Sequence, residues 1–135
     1  MKRPARSLPD TNTIVRYLIV DEPTLHARAK EFFDKVKNGG VRAIIHESVI
    51  AECIYVLTKI YKVPRNRAAR SLIDLLRYKG IANDDQQDLI RALSVFSEHS
   101  LDIVDCILCA KAVAAGDHLF TFDVDLNKLA KRISP

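Results

Sequence analysis

The sequence predicts an α/β fold in which helices cover both faces of a parallel sheet, and two features of the chain favour this class. Short extended segments alternate with longer stretches whose apolar residues recur at helical spacing. Proline and glycine mark most of the boundaries between them. With 135 residues, of which 48% are hydrophobic, the chain can build one ordinary domain over residues 1–135 with a sizeable core.

Four short strands are predicted, at residues 7–9, 41–45, 80–82 and 118–122. The first depends mainly on Leu8, and the third is only three residues long. In parallel sheets, ligands bind outside the carboxyl ends of the strands. Asp10 and Asp123 each follow a strand directly, so we expect both side chains at that edge of the sheet.

Helices are predicted between these strands and after the last one. Asp10 or Asn12 can cap the first helix, Pro23 suits the first turn of the second, and Gly116 ends the sixth. Asp84 or Asp85 is expected to cap the fifth. The predicted ranges are 13–20, 23–38, 48–61, 64–78, 85–99, 104–115 and 124–131.

Four carboxylates adjoin apolar stretches and are the leading candidates for a functional site: Asp10, Glu52, Asp105 and Asp123. A carboxylate in apolar surroundings is unfavourable unless a positive group meets it. Several converging carboxylates repel each other, and a hard divalent cation relieves that repulsion. The pattern therefore indicates a metal site with oxygen ligands, although Glu52 could also be a solvated helix position.

Simpler explanations exist for some of these acids. Asp10 and Asp123 both precede helices and could be helix caps, and Asp102 fits that explanation best. Asp105 does not fit it, because its neighbours at helical spacing are uncharged. Lys111 is the only basic residue on that helix, and its offset points it away from Asp105. A salt bridge from elsewhere in the chain remains the alternative for Asp105.

The three cysteines are better explained by packing than by chemistry. Cys106 and Cys109 have the spacing of a redox or zinc pair, but they lie inside an apolar helix, and Cys53 falls in an apolar stripe. An odd number of cysteines argues against a secreted disulfide framework. Residues 1–9 do not resemble a signal peptide, and no apolar run is long enough for a membrane span, so we expect a cytoplasmic protein.

The charge balance favours an anionic partner. The net charge is +4, and roughly +8 remains on the rest of the chain when the four candidate acids are neutralised. Arg67, Arg70 and Arg77 share one face of a predicted helix, with Lys59, Lys62 and Arg65 nearby. This basic face could guide RNA or receive an acidic protein segment, or it could simply be a solvated surface.

Each of the four acids lies in a short motif. The motifs are Leu8-Pro9-Asp10-Thr11-Asn12 with Arg16-Tyr17-Leu18, Ile50-Ala51-Glu52-Cys53-Ile54-Tyr55-Val56-Leu57, Val104-Asp105-Cys106-Ile107-Leu108-Cys109-Ala110 and Thr121-Phe122-Asp123-Val124-Asp125-Leu126. Together, in this order, they resemble the PIN domain, and within it the VapC-like ribonuclease toxins. The resemblance covers nearly the whole chain, and Cys106 stands where the family often has alanine.

The resemblance implies a three-layer fold with a central five-stranded parallel sheet flanked by helices. It also implies Mg²⁺ or Mn²⁺ as cofactor, RNA as substrate, homodimers, and an antitoxin whose C-terminal tail crosses the active site. The four acids would be catalytic, with the ion held by Asp10, Asp105 and Asp123. Supporting roles fall to Asn12, Thr121, Asp102 and Asp125.

The expected activity is metal-dependent hydrolysis of RNA, because a bound divalent ion lowers the pKa of water and offsets charge building on the phosphate. Two other classes are possible. A phosphoacceptor receiver domain would need two adjacent acids after the first strand and a Lys-Pro near the end, and this chain has neither. A catalytically silent RNA- or protein-binding module of the same fold is the other, although four intact acids speak against it.

Overall fold

A computed structural model describes residues 5–134, and helices make up almost all of their regular secondary structure. The predicted helices are confirmed with small shifts at their ends. They are α1 (Thr11–Leu18), α2 (Pro23–Asn38), α3 (Glu47–Tyr55), α4 (Arg65–Leu76), α5 (Gln86–Glu98), α6 (Ile103–Ala115) and α7 (Val124–Ile133).

Local capping explains where several of these helices begin and end. Asp10 is the N-cap of α1, and its side chain accepts a hydrogen bond from the backbone N–H of Thr13. Pro23 is in the first turn of α2, where its missing N–H does no harm. Gly39 and Gly116 end α2 and α6 with φ of 88° and 72°, a left-handed conformation that glycine adopts most readily.

The predicted helix at 48–61 divides into two parts. After α3 the chain continues as a π-helical segment, Val56–Ile60. The Thr58 hydroxyl donates to the carbonyl of Ile54 at 2.7 Å. Lys62 then adopts a positive φ of 58°, which is uncommon for a residue with a side chain and turns the chain toward α4.

The predicted five-stranded parallel sheet is wrong for this structure. Residues 5–134 contain no extended strand ladder, only two isolated parallel bridges, which join Ser7 to Ala43 and Ala43 to Ile81. Ala43 therefore lies between two parallel segments. Its N–H donates to the carbonyl of Gly80 at 2.9 Å, and its carbonyl accepts from the N–H of Ala82 at 2.8 Å.

Two features explain why the bridges do not extend into a sheet. Beyond Ala43, the side chain of Asn83 replaces a backbone partner: its amide donates to the carbonyl of Ile45 at 2.7 Å and accepts from the Ile45 N–H at 2.9 Å. In the predicted fourth strand, Phe120 and Phe122 are 77% and 92% exposed and contact each other, with ring centroids 5.5 Å apart. The apolar side chains that suggested a strand there are largely unburied.

The core lies between the helices and contains Phe33, Ile45, Ile50, Leu72 and Leu93, all fully buried. α5 packs between α4 and α6, while α1 packs on α2 and α3. These contacts bury apolar side chains, which is the main favourable term in folding. None of the helices in residues 5–134 has the length and apolar character that crossing a membrane requires.

Arg65 connects three of the packed elements. Its Nη2 lies 2.7 Å from the carbonyl oxygens of His99 and Leu101 and 3.1 Å from that of Phe96. Its guanidinium also lies 3.6 Å from the centre of the Phe96 ring, within the range of a cation–π contact. A positive charge at the end of α5 interacts favourably with its carbonyls and its dipole. Arg65 thus ties the start of α4 to the loop that leads into α6.

Replacing Gly80 by alanine should destabilise the fold by about 1–3 kcal/mol, the usual range for overpacking. A Cβ at Gly80 would lie 2.1 Å from the carbonyl oxygen of Val41 and 2.7 Å from that of Val36. Gly40→Ala is the matched control, because its Cβ would lie 3.1 Å from the Asn38 side-chain oxygen and 3.7 Å from the carbonyl oxygen of Lys35, with no backbone atom closer. Urea denaturation of both variants measures the difference, and equal stabilities would contradict the packing described at Gly80.

Arg65→Met should lower the free energy of unfolding by about 1.5–3 kcal/mol, the range for hydrogen bonds to a charged group. The change keeps most of the side chain's apolar length but removes its bonds to the three carbonyls. Arg67→Met is the control, since Arg67 lies in the same turn and is exposed. Thermal melting of the two variants should separate them clearly. Equal melting temperatures would mean that the Arg65 contacts contribute little.

Candidate active site

Asp10 lies where the first bridging segment ends and α1 begins. Its Oδ1 accepts hydrogen bonds from the backbone N–H of Thr13 at 2.9 Å and from the Thr13 hydroxyl at 2.7 Å. These bonds hold the pKa of Asp10 below its ordinary value of 3.8, so the carboxylate is ionised at neutral pH. The side chain is exposed, and Oδ2 has no hydrogen bond within residues 5–134. Asp10 therefore caps its helix and keeps one oxygen available to a ligand.

The charges of Asp10 and Glu52 act on the same buried group, the thiol of Cys53. Burial is the main reason that the pKa of Cys53 rises to about 12, and the negative charges of Glu52 and then Asp10 raise it further. Both carboxylates are exposed, and the helices that carry them, α1 and α3, pack together. The fold thus places the first two acids on two helices that pack against each other.

α3 and α6 pack side by side in opposite directions. Glu47, at the start of α3, lies 2.9 Å from the Nζ of Lys111, in the third turn of α6. Ala51, one turn into α3, lines a cleft of about 380 Å³ together with Ile107, which lies one turn before Lys111. Lys111 also pairs with Asp85 at 2.8 Å. Its charge is thus engaged well away from Asp105, as its position on the helix predicts.

Asp105 and Glu52 lie on these two packed helices. Asp105 lies in the first turn of α6 and is half-buried. Within residues 5–134 its carboxylate makes no ion pair and no hydrogen bond. Asp102 occupies the N-cap position of α6, but its side chain makes no capping hydrogen bond. Asp102 is thus at the start of the helix, as the cap explanation requires, but its side chain does not act as a cap.

Asp123 is the N-cap of α7, and its Oδ1 accepts from the N–H of Leu126 at 3.0 Å. The N–H of Asp123 in turn donates to the hydroxyl of Thr121 at 3.0 Å, so Thr121 shapes the turn that holds this acid. Asp125, two residues later, lines a pocket of about 270 Å³ together with His99 and Leu101 from the loop before α6. The turn before α7 thus directs Asp123 and Asp125 to separate surroundings.

The carboxylates are not assembled into a metal-binding group. In the described part of the chain, no three His, Cys, Asp or Glu side chains are placed to hold a metal ion. Carboxylate oxygens have the right chemistry for a hard divalent cation. The residues thus fit such an ion by donor type, while their side-chain positions do not form a ready-made site. The four predicted acids remain candidates.

The cysteines behave as packing residues. Cys53, Cys106 and Cys109 are free and buried. Burial raises the pKa of the Cys106 thiol to about 12 and also raises that of Cys109, so none of the three is a ready thiolate at neutral pH. This supports the packing interpretation of the Cys106–Cys109 pair.

The predicted basic face is only partly a single surface. Arg67 and Arg70 line a groove of about 400 Å³ between α4 and α5, where Glu98 is also present. Arg77 is the exposed C-cap of α4 and does not line that groove. Arg65 was predicted to lie near this face, but its guanidinium bonds to backbone carbonyls instead. The loop carbonyls at the end of α5 attract it away from solvent.

Sequence reasoning missed the network around Lys111. Asn83 Nδ2 donates to Asp85 Oδ1 at 3.0 Å, and Asp85 accepts from Lys111 on its other oxygen. Burial alone would raise the pKa of Asp85, but the hydrogen bonds from Lys111 and Asn83 lower it overall. The only local signal was the polar run at residues 83–85. Its partners are distant in the chain and carry no shared pattern.

A comparison with protein families now identifies the chain. The model of the PIN domain matches residues 7–132, nearly the full length, so the chain belongs to the PIN domain family. PIN domains are generally nucleases, and such nucleases typically use divalent metals. The family's fold is α/β, whereas residues 5–134 of this chain show helices joined by isolated bridges. No curated protein and no solved structure gives a significant match.

The capping role of Asp10 can be separated from a role as ligand. Asn caps helices as well as Asp, so Asp10→Asn should leave the free energy of unfolding nearly unchanged, whereas Asp10→Ala should lower it by about 1 kcal/mol. Folding lowers the pKa of Asp10, so its stabilising effect is present above pH 3.8 and is lost as the pH falls through the folded-state value. Urea denaturation across this pH range checks both points. Equal effects of the two substitutions would contradict the capping role.

Proposed function

We propose that this protein is a metal-dependent endoribonuclease that hydrolyses RNA phosphodiester bonds, and that it is the toxin of a toxin–antitoxin pair. The proposal is carried by the PIN domain match over residues 7–132, which includes all four acids. Asp10, Glu52, Asp105 and Asp123 are the proposed catalytic residues. The whole chain would form one nuclease domain.

Mg²⁺ or Mn²⁺ is the proposed cofactor, with Asp10, Asp105 and Asp123 as the residues that would hold it. When bound, such an ion lowers the pKa of a water and offsets negative charge on the phosphate. Asp10 suits this role because it is ionised and has one unbonded oxygen. Asp105 suits it because a half-buried carboxylate without a partner gains most from a nearby cation.

The remaining polar residues would have supporting roles. Asn12 is exposed in the first turn of α1, where its amide could hold a water or a substrate oxygen. Thr121 shapes the turn that carries Asp123. Asp102 and Asp125 would assist Asp105 and Asp123 respectively. No histidine or lysine lies in the four motifs, so the carboxylates are the groups available to orient the attacking water.

The proposed partners are RNA, an antitoxin and a second copy of the chain. Exposed Val104 and Leu108 lie together on α6, and exposed apolar patches are typical of protein–protein interfaces. Arg67, Arg70 and Arg77 are proposed to contact RNA or an acidic segment of the antitoxin. Action in the cytoplasm accords with three cysteines that are all free.

A catalytically silent PIN domain that binds RNA or protein is the second candidate. One observation favours it: the described side chains include no group of three placed to hold a metal ion. The two functions differ in whether RNA is cut when metal is added.

In the presence of Mg²⁺ or Mn²⁺, the protein should cleave single-stranded or looped RNA, and EDTA should abolish the activity. Asp105→Asn should lower cleavage at least about 100-fold, the upper range for removing a group that only supports a metal ligand. The change removes charge and almost no volume, so the fold should persist. Gel analysis of a fluorescent RNA measures cleavage, and thermal melting checks the fold.

Asp74→Asn is the matched control, because Asp74 is an exposed helical carboxylate outside the motifs. It should cleave like the unmodified protein. Full activity in EDTA or in Asp105→Asn would overturn the proposed mechanism. Isothermal titration with Mn²⁺ adds an independent measurement, since a double variant, Asp10→Asn with Asp105→Asn, should lose the binding. No cleavage and no Mn²⁺ binding by the unmodified protein would favour the silent module.

A further inference from the structure

The groove between α1 and α2 is a further cavity, separate from the groove between α4 and α5 that Arg67 and Arg70 line. Its volume is about 280 Å³. Side chains from both helices line it, and they combine cations, apolar groups and amide or hydroxyl groups. Those that matter here are Asn12, Thr13, Arg16, Leu25, Arg28 and Phe32.

Both charged residues that line this groove are arginines. Arg28 is exposed and makes no ion pair within residues 5–134. Arg16 pairs with Asp21 at 2.9 Å, but Tyr61 also donates to Asp21, and the Nε of Arg16 is buried without a hydrogen-bond partner. A buried donor without a partner is unfavourable. An anion in the groove would give the Arg28 guanidinium a partner and would share the Arg16 guanidinium with Asp21.

The rest of the lining is suited to a flat, largely apolar group. Leu25 and Phe32 are half-buried, so part of each remains accessible from the groove. The Phe32 ring is held edge-on against Phe33, with ring centroids 4.9 Å apart and planes at 79°. A ring fixed in this way can stack on a planar ligand without first being ordered. Asn12 adds an amide that can donate and accept at the edge of such a ligand.

The groove is directly beside Asp10. Thr13 lines it, and the same residue donates both its backbone N–H and its hydroxyl to the Asp10 carboxylate. A ligand in the groove would therefore contact Thr13, which is itself hydrogen-bonded to the proposed catalytic acid Asp10.

We propose that the groove is a nucleotide subsite that holds the RNA next to the bond to be cut. Arg16 and Arg28 take the phosphate, Phe32 stacks on the base, and Asn12 contacts its edge. A nucleotide supplies phosphate, planar base and hydrogen-bonding edge in one unit, which is the combination that the groove offers. A purely acidic peptide segment would match only the arginines. This inference rests on the proposed function, since it takes RNA as the substrate.

RNA binding without cleavage tests the subsite. A short fluorescein-labelled oligouridylate is titrated with protein in EDTA, and anisotropy gives the Kd over a series of KCl concentrations. Arg28→Gln should weaken binding and reduce the slope of log affinity against log salt by about 0.7, the value for one phosphate contact on a single strand. Phe32→Leu should weaken binding roughly 5- to 150-fold, the range for one stacked base.

Lys35→Gln is the matched control, because it removes one positive charge from α2 outside the groove. It should leave the slope unchanged. Thermal melting checks the fold of every variant. If Phe32→Leu fails to fold, Arg28→Gln still tests the subsite, because the Arg28 side chain is exposed and its replacement should not disturb the core. Binding by Arg28→Gln and Phe32→Leu at the unmodified affinity would overturn the subsite and leave the groove to a protein segment.

Cleavage is measured separately with Mg²⁺ or Mn²⁺. If the unmodified protein cuts RNA while the groove variants bind it normally, the subsite fails and the nuclease proposal stands. If the protein binds RNA through Arg28 and Phe32 but never cuts it, the subsite stands and the nuclease proposal fails.

Discussion

One guanidinium group helps fix how α4, α5 and the start of α6 lie relative to one another. Arg65 begins α4, yet its Nη2 lies within hydrogen-bonding distance of three carbonyls at the end of α5 and in the loop beyond it. Carbonyls at the end of a helix and in the loop after it lack helical N–H partners, and a positively charged donor suits them well. Because the loop leads directly into α6, the contact also sets where Asp102 and Asp105 emerge. A candidate catalytic position is thus held by a residue that has no part in the proposed chemistry.

Features decided by neighbours in the chain could be predicted from the sequence, while those decided by distant partners could not. The cap at Asp10, the start at Pro23 and the stops at Gly39 and Gly116 all use residues within one turn. The sheet failed because strands need long-range backbone pairing, and Ala43 pairs with its two neighbours through single bridges only. Short apolar runs predicted strands, but a run does not show which segment would pair with it.

The candidate site also has features that the local sequence shows and features that depend on distant partners. The identity of the four acids could be read from the order of the motifs, because each residue type is visible in the chain. Their separation in space could not, since it depends on how α1, α3 and α6 pack. α1 and α3 pack on each other, and both Asp10 and Glu52 raise the pKa of the Cys53 thiol. A carboxylate can also serve a helix and a ligand together, and Asp10 caps α1 through only one of its oxygens.

Because all three thiols are buried, the folded protein should react only slowly with thiol reagents. Cys53 lies on α3, and Cys106 and Cys109 lie on α6, so the cysteines mark the two antiparallel helices that carry Glu52 and Asp105. A reagent can reach them only when the core around these helices opens, because each sulfur must first gain access to solvent and a lower pKa. The rate of alkylation therefore measures how often the core opens around the helices that carry Glu52 and Asp105, without any added label.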